Sequence, residues 1–347
     1  MITSKSRCFI DARRTKPVFA SEDEFVEWVQ RRAPACAGGL RVGIGDDAAV
    51  VSLRRGRRLL LTTDLSIEGV HFDLKLHPAE SVGHRALARS LSDIAAMGGT
   101  PRFALVSIVL SPRVTRRWME RFYSGLFKLS HRFGVEVVGG DTARSSGKTL
   151  ADLVVAGEAL QGNSLLRSGA RAGDRLYVAG DLGAAALGLR LLRLKSLRRN
   201  PALRAAVRAH LYPEPQCELG LHLAAQKLAS AAMDLSDGLS TDLRRLCAAS
   251  GVGARVRAEQ IPCVQYSPGE TVRGTSALSL ALHGGEDYSL LFTVPPSKLS
   301  RLPAVFQGVR LSEIGEVTAS RAIVLVSADG AEQPLAPEGY DHFRKRW

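Results

Sequence analysis

Phe103-Ala104-Leu105-Val106-Ser107-Ile108-Val109-Leu110 is a continuous apolar run broken only by one hydroxyl side chain. It falls far short of the roughly 18–20 apolar residues a membrane helix needs, and suits a buried strand. Helical spacing flanks it, over Glu80 to Met97 before it and Arg116 to Phe133 after it. Farther out lie strand-like runs at Leu59-Leu60-Leu61-Thr62-Thr63, Val135 to Val138 and Leu153 to Ala156. The texture changes near Gln161 to Ser168. Alternation then resumes with a strand over Arg175 to Ala179, helices around Ala184 to Leu197 and Cys217 to Ala231, and strands at Leu290 to Val294 and Ala322 to Val326. Near the start, Ser21 to Arg32 reads as a short helix, with Ser21 as cap, Glu24 completing a capping box, and Phe25, Trp28 and Val29 buried. Strand–helix alternation in both halves predicts two α/β (α+β) lobes, spanning 1–160 and 161–347.

Composition narrows the class. The 347 residues are 45% hydrophobic and 23% charged, which suits a folded two-domain chain and argues against disorder. Only 6% are aromatic, so abundant alanine and glycine must supply close helix–sheet contacts. Met1 to Lys16 is basic but has no apolar stretch of the kind a secretory signal requires; Arg13-Arg14 is a weak twin-arginine candidate. Cys8, Cys36, Cys217, Cys247 and Cys263 are odd in number and scattered, so neither a disulfide framework nor a zinc site is expected. A reducing cytoplasm is the expected compartment.

The net charge of +13 invites an anionic partner, either nucleic acid or a phosphorylated metabolite. Arg190, Arg193, Lys195, Arg198, Arg199, Arg204 and Arg208 fall in one stretch free of acids, and Arg344-Lys345-Arg346 ends the chain. The first stretch has leucines at helical spacing and no interleaved aromatics for stacking bases. It reads as a solvated helix face, and nucleic acid is not the expected partner.

The chemistry lies in aspartates at expected strand ends or helix edges, mostly beside glycine. They are Asp46 and Asp47, Asp64, Asp93, Asp141, and Asp234 with Asp237. Any one alone would pass for a turn or cap residue, and Asp242 reads as a surface residue of a following helix. Together, with apolar patterning beside each, they call for a metal or a cation. Mg²⁺ fits, because it takes a few carboxylates and shares its other positions with water and phosphate oxygens.

Two glycine motifs mislead. Gly43-x-Gly45-x-x-Ala48 fits a dinucleotide fingerprint, but Val50-Val51-Ser52-Leu53 after it reads as strand where that motif needs a helix. Gly140 through Gly147-Lys148-Thr149 resembles a Walker A loop with six residues between its glycines where four are required. There is no Gly-x-Ser-x-Gly elbow and no His-Glu-x-x-His helix. His71 and His77 read as surface or pocket histidines.

A resemblance now joins these motifs. Gly43 to Ala49, Thr62-Thr63-Asp64 and Glu68-Gly69-Val70-His71-Phe72 open the pattern. Arg85 to Ala88, Leu91 to Gly98 and Gly139-Gly140-Asp141-Thr142 continue it. Met233 to Leu239 and Gly284-Gly285-Glu286-Asp287-Tyr288 close it. In order and spacing, from about residue 40 onward, this resembles the thiamine-monophosphate kinase family. Its superfamily also holds aminoimidazole ribonucleotide synthetase, selenophosphate synthetase and a hydrogenase maturation factor.

The resemblance implies transfer of the ATP γ-phosphoryl group to thiamine monophosphate, in line and without a phosphoenzyme, assisted by three or more Mg²⁺. It implies metal-site roles for Asp47, Thr62, Thr63, Asp64, Asp93, Asp141, Asp234 and Asp237, with Asp47, Asp93, Asp141 and Asp234 central to catalysis. Gly140, Asp141, Arg167 and Ser236 correspond to ATP contacts; His71, Glu286 and Tyr340 correspond to residues around thiamine monophosphate. It further implies a homodimer in which the N-terminal lobes form a strand barrel. Leu65-Ser66-Ile67 replaces the Thr-Leu-Val often seen there, with spacing kept; the basic N-terminal segment and the high charge lie outside the pattern. Two other readings stay open at this point: an ATP-dependent superfamily member with another acceptor, and a metal- or polyanion-binding protein without catalysis.

Overall fold

The structure, a computed structural model, describes residues 19, 22–33, 39–42, 44, 50–194, 201–265 and 276–342. The first half runs α1 (Glu22–Gln30), β1 (Leu40–Val42), β2 (Val50–Val51), β3 (Arg57–Ile67), α2 (Ala79–Ala96), β4 (Thr100–Leu110), α3 (Arg116–Arg132), β5 (Glu136–Arg144) and β6 (Leu150–Leu160). The second runs β7 (Arg175–Ala179), α4 (Ala184–Leu194), α5 (Pro201–Leu211), α6 (Cys217–Ala225), β8 (Ala231–Leu235), α7 (Leu239–Ser250), β9 (Gly253–Arg257), α8 (Ala277–His283) and β10 (Ser289–Val294). It ends with β11 (Val305–Phe306), β12 (Val309–Thr318), β13 (Ile323–Val326) and β14 (Glu332–Pro334).

Four strands of the first half form one sheet in the order β3-β6-β4-β5, antiparallel except for the β4–β5 pair. An eight-stranded sheet in the second half follows β14-β13-β9-β12-β7-β10-β8, with β11 beside β12; only β13–β9 is parallel. The predicted mixture of helices and strands holds, but these are largely antiparallel sheets. Asp234 does lie near the end of a strand and Asp93 in the last turn of α2, but two of the other aspartates do not fall at strand ends. Asp64 lies inside β3, paired along its whole length with β6, and Asp141 lies inside β5, which runs on through the glycine pair.

Helix α2 joins the two halves. One side packs on β3, β4 and β6, and others meet α3, α6 and β8. It is buried nearly all round, which explains its small residues Ala86, Ala88, Ala95 and Ala96 between Leu87, Leu91 and Ile94. Each of those larger side chains contributes about 1.5–3 kcal/mol by leaving water. Where α2 crosses α3 the backbones touch: a β-carbon at Gly83 would lie 1.9 Å from the Phe122 carbonyl oxygen, and one at Gly125 lies 1.9 Å from that of Glu80. Helix α1 packs as expected, with Phe25 and Trp28 against Tyr123 of α3. Ser21 lies outside the described residues, and Glu24 reaches Arg116 at 2.6 Å.

Two expectations need correction. The helix expected from Cys217 to Ala231 stops at Ala225, because Lys227 turns left-handed (φ +53°) and the chain enters β8. Leu228, Ala229 and Ala231 resume an apolar pattern beyond Gln226-Lys227, so patterning alone does not mark the break. Asp242, expected at the surface, is wholly buried in the first turn of α7, where it accepts the Asp237 amide at 2.9 Å and Arg245 at 2.7 Å. The basic stretch is divided between α4 and α5. Arg193, Arg204 and Arg208 are exposed, while Lys195, Arg198 and Arg199 lie outside the described residues, as does Arg344-Lys345-Arg346.

Candidate active site

Side chains alternate along β3. Thr62 and Asp64 face α2, whereas Thr63 faces the opposite, open side of the sheet. Asp93 comes up from the last turns of α2 and accepts a hydrogen bond from the Thr62 hydroxyl. Asp234 sits near the end of β8, buried, and accepts from Ser92 of α2 at 2.9 Å. Strand β3, helix α2 and strand β8 thus deliver three carboxylates to one place, from positions 64, 93 and 234.

Two cavities meet there. One, of about 550 Å³, is lined by Asp64, Asp93, Asp234, Ser236 and Asp237 together with His71, Glu286 and Tyr340. The other, of about 290 Å³, is lined by Thr62, Asp93, Asp234 and Arg167. Asp93 and Asp234 therefore border both. The carboxylates crowd one another as charges. Burial and the neighbouring Asp93 push the Asp64 carboxyl up to about 6 despite the Arg89 guanidinium at 3.1 Å. Burial, Asp93 and Asp242 push Asp234 up to about 8. Burial also raises Asp93, against the opposing pull of Thr62, Arg167 and Arg89.

Such a set is short of positive charge. Divalent cations would supply it, and Asp64, Asp93 and Asp234 offer the hard oxygens that Mg²⁺ prefers. Among the described residues no three His, Cys, Asp or Glu side chains form a single metal cluster. The arrangement suits ions that take one or two carboxylates each and complete their shells with water and phosphate oxygens. Asp237 is already partnered by Arg245 at 2.5 Å, and its carbonyl accepts the Tyr340 amide at 3.0 Å, which brings the C-terminal segment to the cavity.

The far wall is held under strain. Glu286 (φ +62°) and Tyr288 (φ +49°) both adopt left-handed backbone, which is costly for such side chains. Their amides donate to Ser236 and Leu235 carbonyls at 2.7 and 2.9 Å, and the Asp287 carboxylate between them accepts from Gly183 and Ala185 at the start of α4. Burial alone would raise the Glu286 carboxyl, but Arg85 at 2.6 Å, His210 and Arg89 hold it well below the usual carboxylate range. His71 Nδ1 accepts the Ile67 amide at 3.0 Å, leaving the ring proton on Nε2. Burial, then Arg89, lowers its pKa to about 3, so it is a neutral donor at physiological pH.

Not every expected site residue comes to these cavities. Asp47 lies outside the described residues, with Asp46. Thr63 donates to Asp152 at 2.8 Å on the open face. Asp141 lies in register with Ser107 and Asp152, which puts it on the same open face, and accepts the Thr142 amide at 2.7 Å. Gly140 stands beside it, so close to β4 that a β-carbon would lie 2.0 Å from the Val106 carbonyl oxygen. Sequence reading did not single out Arg89 or His210, since no local motif marks their distant partners, and it set Asp242 aside as a surface residue.

Residues 45–159 match the N-terminal domain, and residues 171–327 the C-terminal domain, of the AIR synthase related proteins. The fold and its carboxylate-lined cavities thus define a two-domain protein of that class. A curated thiamine-monophosphate kinase from Salmonella typhimurium is 38% identical over 308 residues, covering 88% of this chain and 92% of its own length. The crystal structure of thiamine-monophosphate kinase from Stenotrophomonas maltophilia superposes with a TM-score of 0.77 at 32% identity, covering 89% of this chain and 96% of that one. A structure of AaThiL complexed with AMPPCP and TMP gives 0.73 at 31% identity, covering 93% and 97%. The chain belongs to the thiamine-monophosphate kinase family.

Proposed function

We propose that the protein transfers the γ-phosphoryl group of ATP directly to thiamine monophosphate, giving thiamine diphosphate and ADP, the last step in making that cofactor. A phosphate oxygen of the acceptor forms the new bond to phosphorus as the β–γ bridging bond breaks and ADP leaves. The observation that carries this reading is the pair Asp93 and Asp234 bordering both cavities. One cavity, with His71, Glu286 and Tyr340, offers a neutral donor, a carboxylate and an aromatic face for the thiamine rings. The other offers the Arg167 guanidinium, which can grip phosphate through two N–H groups.

Several Mg²⁺ ions bound by this aspartate set would neutralise the facing phosphates and favour in-line geometry. The chain's own part is positioning. Thr62 and Ser92 fix the Asp93 and Asp234 carboxylates by direct hydrogen bonds, and Arg89 fixes Asp64. No side chain is required as a strong base, because the acceptor is already an anionic oxygen. Asp47, Thr63, Gly140, Asp141, Ser236 and Asp237 belong to the metal and nucleotide set in this reading by resemblance.

The same reading places metal and ATP binding with dimerisation in residues 1–160 and an α/β domain in 161–347, supported by the two separate sheets. A homodimer is supported by the open face of the four-stranded sheet, where Leu59, Leu61, Leu65 and Leu105 are exposed and Leu61 retains 66% of its surface. Closing two such sheets into a barrel would cover them. Cys217, Cys247 and Cys263 are free thiols, and no described helix is long and apolar enough to cross a membrane; the thiols support a reducing cytoplasm.

Release of ADP from ATP and Mg²⁺ tests the activity. Thiamine monophosphate should stimulate it and yield thiamine diphosphate, while thiamine should not. Stimulation by thiamine alone, or only by a different phosphorylated acceptor, would overturn the assignment.

A further inference from the structure

Behind Glu286 runs a buried polar chain that the proposed chemistry does not use. The Asp73 amide donates to His77 Nδ1 at 3.0 Å. The Asp73 carbonyl oxygen lies farther from the same nitrogen, at 3.3 Å, so the nearer amide assigns the His77 proton to Nε2, which lies 2.9 Å from His210 Nε2. His210 Nε2 is then the acceptor, and its proton sits on Nδ1, 3.4 Å from Glu286 Oε2. The other Glu286 oxygen takes the Arg85 guanidinium at 2.6 Å. Arg85 Nη1 also lies 3.1 Å from His210 Nδ1, but it directs a hydrogen to the His210 carbonyl oxygen. His210 is buried at the end of α5 and lines no part of the larger cavity.

We propose that His210, ordered by His77, is a positioning residue that fixes the Glu286 carboxylate for recognition of the acceptor's aminopyrimidine. This deepens the functional reading above and rests on it. A carboxylate gripped only at Oε1 by Arg85 can pivot about that contact. A second donor at Oε2 fixes its plane, so the aminopyrimidine N–H groups meet an acceptor already aligned. Both imidazoles are kept neutral, chiefly by burial and then by Arg85, which leaves one proton per ring and sets the order of the relay. The chain also ties α5 to the cavity wall. Residues far apart in sequence, on the segment before α2 and on α5, thereby act on the acceptor site and not on the nucleotide.

Kinetics and spectroscopy test this in the full-length protein. His210→Leu should raise the KM for thiamine monophosphate about fivefold or more, the loss expected for one long hydrogen bond to a carboxylate. It should leave kcat within about threefold and the KM for ATP within about twofold. His210→Asn, which keeps a donor at the Nδ1 position, should recover most of the loss. An unchanged acceptor KM, or a parallel fall in kcat, ATP affinity and melting temperature, would overturn the proposal. Nitrogen-15 spectra of histidine-labelled wild-type protein need no variant to fold: protons on His77 Nε2 and His210 Nδ1 are expected, and a proton on His210 Nε2 would overturn it. Should the wild type ignore thiamine monophosphate, the functional reading fails first, visibly apart from the tautomers.

Discussion

Asp93→Ala should lower turnover by about a thousandfold or more while leaving the fold intact. The magnitude is that of removing a charge-organising group from a phosphoryl-transfer site, where positioning and electrostatics supply nearly all the catalysis. Asp93 borders both cavities, so its loss affects both sides of the transfer at once. The fold should not suffer, since burial penalises its charged form and the Thr62 hydroxyl that loses a partner is only half-buried. The variant should melt at or above the wild-type temperature, as happens when stability has been given up for function. Steady-state kinetics beside a thermal melt checks both halves. Retention of more than about a tenth of the activity would remove Asp93 from the machinery.

Without divalent ions, stability should fall as pH rises from about 7 to about 9. Burial, with repulsion from neighbouring carboxylates, holds the native carboxyls of Asp64 and Asp242 at about 6, Asp287 at about 7 and Asp234 at about 8, against an ordinary value of 3.8. In that window the native protein keeps protons that the unfolded chain has lost, so raising the pH favours unfolding. Neutral His71, His77, His84 and His210, their pKa values lowered chiefly by burial, oppose the trend below about 6.5, which sets the lower limit of the window, and Glu286 runs the other way too. Its carboxyl is held low, so its contribution is lost only under acid conditions. Mg²⁺ competes with those protons and should restore stability, more strongly at pH 8 than at pH 5.5. Melting temperatures at matched ionic strength show the pattern. A pH-independent apo melt, or a larger Mg²⁺ effect at the lower pH, would contradict it.

Much of the site was legible because its residues come in short motifs. Asp64 follows two threonines on a strand, Asp234 and Asp237 bracket a turn, and Glu286 sits between glycines and Tyr288. What local pattern could not convey was which face of a sheet each side chain occupies. Thr62 and Thr63 are adjacent yet point to opposite sides of β3, and Asp141 shares the open face with Thr63. Predicting that requires the register of β4 with β5 and β6. Asp242 looked like a surface residue because helical spacing does not reveal that the start of α7 tucks under Asp237. Arg85 and His210 are 125 positions apart, and their contact exists only after α5 has docked. The fold class was readable for a simpler reason. Long apolar strands such as Phe103–Leu110 and the alanine-rich α2 carry their burial in their composition, although their largely antiparallel pairing is a tertiary outcome.

The central claim is that distant carboxylates converge to hold divalent ions between two anions. Electron paramagnetic resonance of free Mn²⁺ tests it most directly, by titrating the protein with a non-hydrolysable ATP analogue and thiamine monophosphate present. The account predicts at least about two protein-dependent ions per chain, falling markedly in Asp234→Ala. Mn²⁺ uptake no greater than that of the nucleotide alone, and unchanged in the variant, would contradict it.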